Sequence, residues 1–218
     1  MKKKTLFILF FISNLITYQF ESFSLNQVSP GSATKKTRNP NSKKRIISGK
    51  NHFPKNFLWK KVPFFKDSNP TLYYFTENPD IFISVQQEKA VPAKQLINPN
   101  LFFKQTEQEK AVTLSETSIK NRRVSFSIIE HFPGTYLFFS RGSYLDFKKT
   151  QVFFEEWNFY HDKLSLYILV HYTQTLTEKE TQATHSFIYN LVNSIALLTD
   201  QEIKQFQALI DKIKNHDY

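Results

Sequence analysis

Two runs of strand-forming residues, QVFFEEWNFY at 151–160 and LSLYILVHY at 164–172, are separated only by HDK at 161–163. Three residues can join antiparallel neighbours, but a parallel pair needs a crossover of a dozen or more. This spacing therefore signals a hairpin and makes antiparallel pairing of neighbours the simplest topology. In the second run Leu164, Leu166, Ile168 and Val170 share one face. Upstream, RVSFSIIE at 123–130 alternates Val124, Phe126 and Ile128 with Ser125 and Ser127, as a half-buried strand does. HFPG at 131–134 breaks it, TYLFFS at 135–140 resumes, and RGS at 141–143 reads as the next turn. TYLFFS is apolar on both faces, so an exposed aromatic patch would lie there if it is not central in the sheet. Earlier still, TLYYFT at 71–76 and IFISVQ at 81–86 flank ENPD at 77–80, a turn built of Asn, Pro and Asp.

Two helical patterns close the chain. Thr177 and Glu180 form a capping box ahead of a stripe made by Ala183, Phe187, Ile188, Leu191, Val192 and Ile195. Thr199 and Glu202 repeat the box ahead of a thinner stripe of Ile203, Phe206, Ile210 and Ile213. Between the first hairpin and the strand at 123, residues 100–112 suit a short helix capped by Asn100, with Pro99 preventing an earlier start. The expectation is an α+β domain over 62–218, an antiparallel β-meander covered by a C-terminal amphipathic helix. Over residues 70–198 this order of elements resembles the Mog1/PsbP-type arrangement of exported bacterial proteins and photosystem accessory subunits. No sequence motif carries the likeness, and it implies a fold without assigning sites.

Charge is segregated along the chain. Residues 25–61 hold ten Lys or Arg and no acid, whereas 62–218 hold sixteen Lys or Arg against eighteen Asp or Glu. The formal charge of +10 thus belongs to a flank, which weakens the case for nucleic acid as the partner. MKKK, an apolar run from Leu6 to Ile16, and Ser22 and Ser24 match a secretory signal peptide over 1–24. The run is too short to span a bilayer, which takes about 20 apolar residues. The segment 25–61 is rich in Ser, Thr, Asn, Lys and Arg, a composition that buries little apolar area. It reads as a spacer, as a transit peptide of the kind that follows a signal in plastid-type bipartite leaders, or as an arm for an anionic surface. Its tail interleaves Phe53, Phe57, Leu58 and Trp59 with basic residues and is expected to dock on the domain. The localisation that follows is export through the secretory pathway, to periplasm or medium, with a plastid-type organelle as the alternative.

The chain has no Cys, which removes thiol nucleophiles, disulfides and Cys-ligated zinc. Four Gly, at 31, 49, 134 and 142, cannot assemble a glycine-rich phosphate cradle. His52, His131, His161, His171, His185 and His216 include no His-Glu-x-x-His pair. Glu130–His131 and His161–Asp162 fall at turns and could approach each other, His161 and His171 belong to opposite strand ends, and His185 is expected in solvent on a helix flank. Glu155 or Glu156 must share a face with Phe153 and Trp157, where a carboxylate among aromatic rings would gain a raised pKa and could act as an acid. The milder alternative is a partly open face or an edge strand. Ser143 follows Gly142 without a nucleophile-elbow pattern. No residue is therefore assigned a catalytic, cofactor-binding or metal-binding role, and no cofactor is expected. The reading is an exported binding or accessory domain that contacts an unknown protein or an anionic surface. Its alternatives are a plastid-type assembly factor and a small hydrolase using Glu or His.

Overall fold

Among the described residues, the alternating runs form seven strands: β1 (Trp59–Lys61), β2 (Thr71–Phe75), β3 (Phe82–Lys89), β4 (Lys120–Phe132), β5 (Thr135–Leu145), β6 (Gln151–His161) and β7 (Leu164–Tyr172). Three helices among the described residues accompany them: α1 (Pro99–Ser115), α2 (Glu178–Ile195) and α3 (Asp200–Lys214). The computed structural model describes residues 58–62, 70–92, 95–115 and 119–214. The leader at 1–24, the basic segment up to residue 57, His52 and His216 lie outside them.

All seven strands join one antiparallel sheet in the order β1-β2-β3-β7-β6-β5-β4. Two meanders, β1 to β3 and β4 to β7, meet where β3 pairs with β7 from Phe82↔His171 to Lys89↔Leu164. One face carries the main core. Ile83, Leu137, Phe139, Trp157, Phe159, Leu166, Ile168 and Val170 point there and are buried under α2 and α3. Both capping boxes form: Thr177 Oγ1 accepts from Glu180 N at 3.3 Å, and Thr199 Oγ1 from Glu202 N at 3.4 Å. The stripe on α2 sets Phe187 4.9 Å from Tyr73 and 5.4 Å from Trp59, ring centre to ring centre. On α3, Phe206 lies edge-on to Phe159 at 5.4 Å. The cover is thus two helices, because the thinner stripe is buried as fully as the first.

The opposite face carries α1 and a smaller cluster of Phe102, Phe138 and Tyr160. Asn98, not Asn100, caps α1, its Oδ1 accepting from Leu101 N at 3.1 Å, and Pro99 takes the first helical position, where its missing N–H has no partner to lose.

Three expectations change at this level. RGS at 141–143 is strand, and β5 turns only after Leu145, where Asp146 Oδ1 accepts from Lys148 N at 2.8 Å and Thr150 N at 2.7 Å. Val124 does not share a face with Phe126, since a shift in pairing between them moves Val124 opposite Gly142 and Phe126 opposite Arg141. β5 is flanked by β4 and β6, so its aromatic side chains form no exposed patch. Trp59, expected to dock on the domain, does so: Trp59–Lys61 pair with β2, and the buried Trp59 donates from Nε1 to Ala183 O at 3.3 Å. Among the described residues, no helix is long and apolar enough to cross a membrane.

Candidate functional site

Adjacent residues of a strand point to opposite faces, so the two carboxylates of β6 part company. Glu155 enters the layer under α2 and α3. Arg141, directly opposite on β5, donates from Nη2 at 2.9 Å and Nε at 3.2 Å, both to Oε1. His185, one position outside the stripe of α2, sets Nε2 3.2 Å from Oε2. Arg141 also donates from Nη2 to Ile213 O at 3.5 Å, which ties the last turn of α3 to the same group. The cluster is sealed, with Glu155 0%, His185 3% and Arg141 4% exposed. His185 is therefore buried rather than solvated: its ring stands edge-on to Trp157 at 5.6 Å. Glu155 shares the face of Phe153 and Trp157 as expected, yet its pKa moves the other way. Burial pushes it up, and His185 and Arg141 outweigh burial and hold it below the usual carboxylate range.

Glu156 enters the layer under α1. Lys110 of α1 pairs with its Oε2, Arg122 of β4 reaches Oε1 at 3.4 Å, and Ser140 Oγ donates to Oε2 at 3.4 Å. Glu107 closes the group, 2.7 Å from Arg122 Nη1 and 3.2 Å from Lys110 Nζ. Two cations thus face two carboxylates. Burial raises the pKa of Glu156, but Lys110 and Arg122 prevail and bring it to about 2. The Arg122 guanidinium also sits 4.7 Å from the Phe154 ring centre. On the same face His171 is buried beside Tyr144, and burial lowers its pKa to about 4. Burial likewise lifts the Tyr167 hydroxyl to about 12.

The remaining sequence candidates stay apart. His131 stacks on Tyr136 at 4.4 Å, while His161, two strands away, sets Nδ1 2.8 Å from its neighbour Asp162. Ser143 is half-buried between Arg123 and Phe153. His161 and His171 do fall at opposite ends of the sheet, opposite Thr135 and Phe154 respectively. Among the described residues, no three His, Asp or Glu side chains are grouped to hold a metal ion. Sequence reasoning missed Arg141, Lys110 and Arg122. Arg141 was hidden in RGS at 141–143, which reads as a turn rather than a strand.

Chemically, these clusters are cross-layer struts. An acid must carry a proton, and both carboxylates are held ionised; a base must meet its substrate, and both are covered by a helical layer. No protein-family model matches this chain, and no curated protein matches it.

Proposed function

We propose that this protein is an exported, non-enzymatic binding or accessory domain that contacts a protein or another component of the cell envelope. One observation carries the reading: of the carboxylates and imidazoles best equipped for chemistry, Glu155, Glu156 and His185 are buried and spent on joining layers, and His171 is buried beside Tyr144. What faces outward is apolar at the start of α1, where Ile97 is 82% and Leu101 50% exposed. The routing rests on the sequence, on the leader at 1–24 and the acid-free segment behind it. That segment also supports the second reading, a plastid-type accessory factor.

The test joins mature-end mapping, fractionation and photocrosslinking from positions 97 and 101 in the producing cell. A mature end near residue 25, an envelope or external fraction and a discrete adduct lost in Leu101→Asp are expected. An end near residue 60 selects the organellar reading. A purified chain whose hydrolytic turnover disappears in Glu155→Gln, with the fold intact, would overturn both.

A further inference from the structure

The two edges of the sheet are built differently. β1 is three residues long and carries Lys60 and Lys61, the shortness and charge that keep an edge from pairing with another chain. β4 is thirteen residues long. Its first half is guarded by Lys120, Arg122, Arg123 and two shifts of pairing, one spanning Asn121 and Arg122 and one spanning Ser125. Its second half, Phe126–Phe132, pairs without interruption with Thr135–Arg141 and contains no Lys, Arg or Pro. Beyond it the sheet has no further strand among the described residues. A long, regular and weakly charged edge is a template for strand addition.

The order of residues along β4 is complementary to itself. When a second β4 is laid antiparallel with Ser127 against Ser127, Phe126 meets Ile128 on the α2–α3 face. Ile129 then meets Val124 on the α1 face, with Ser125 as the extra residue of the bulge, and Glu130 meets Arg123 at both ends. Faces match throughout, as a two-fold axis perpendicular to the sheet requires. Val124 is 38% exposed, and Ile128 and Ile129 are half-buried. Arg123 and Glu130 have no ion-pair partner among the described residues.

We propose that β4 is a self-association edge: two copies of the chain pair through Arg123–Glu130 and join their sheets into one. Sedimentation velocity of the full chain, from about 1 to about 100 µM, is expected to move from 25.8 kDa toward twice that mass. Arg123→Glu and Glu130→Arg each set like charges against one another at both ends and should weaken association about tenfold or more. An equimolar mixture of the two variants regains both attractive pairs and should associate as the unaltered chain does. Far-UV circular dichroism confirms that each variant is folded. A chain that stays monomeric throughout the range overturns the proposal. So does a dimer indifferent to both swaps, or an open-ended ladder of oligomers, since the pairing described closes after two copies.

Discussion

Glu155 keeps its charge while fully buried, and the reason is local: the Arg141 guanidinium and the His185 imidazole sit within 3.2 Å of its oxygens. A buried ion pair stabilises little by itself, but stripping one partner leaves an uncompensated charge. Glu155→Gln should therefore destabilise the fold by about 3 to 5 kcal/mol, because Arg141 is left facing a neutral amide in an apolar layer. The companion Glu155→Leu with Arg141→Met should recover most of that loss, since it removes both charges at similar volume. Urea unfolding midpoints at neutral pH measure both, and a single-variant loss below about 1 kcal/mol would contradict this account.

Strand β5 shows at the element scale why glycine stands at 142. A Cβ there would lie 2.0 Å from the Arg123 carbonyl oxygen and 2.8 Å from Phe154 Cζ. Gly134, by contrast, has nothing within 4 Å and is required only by its φ of +75°. Gly142→Ala should accordingly cost about 3 kcal/mol or more through overpacking. Gly134→Ala should cost about 1 to 2 kcal/mol through its left-handed backbone. Hydrogen exchange along β4 should rise only in the first variant, and equal protection in both would refute the distinction. Glycine 142 is also where the sequence misleads. Arg-Gly-Ser reads as a turn by residue type, yet the glycine answers to a neighbouring strand, and tertiary proximity leaves no local mark. The strands with clean alternation, both capping boxes and both helical stripes were legible, because each follows from a period or a local hydrogen bond. The struts were not, since the polar side chains at 110, 122, 141, 155, 156 and 185 meet only after the sheet has formed. His185 was misread for the same reason: one position outside an apolar stripe means solvent, unless a buried acid waits opposite.

Taken as a whole, the molecule stacks α1, the sheet, and α2 with α3, and acid should unfasten both seams. His171 has a folded pKa of about 4, below the ordinary value near 6.5, so the unfolded chain takes up a proton first. Stability is then lost as pH falls from about 6.5 toward 4, by about 3 kcal/mol from this one ring. Glu155 and Glu156 have folded values below the unfolded ones, so their contributions hold above about 4.3 and fade at lower pH. Urea midpoints between pH 8 and 4 should thus decline from near 6.5 downward, and His171→Gln should delay the decline to below about 5. A variant with the same onset would disprove the role of this ring. The neighbouring glutamates have one more effect. They work like the two pins of a plug: sliding β6 a single notch in either direction still fits a carboxylate into one socket, but pushes Phe154 or Trp157 into the other and strands its cations. Two identical letters side by side thereby encode a unique alignment for the middle of the sheet.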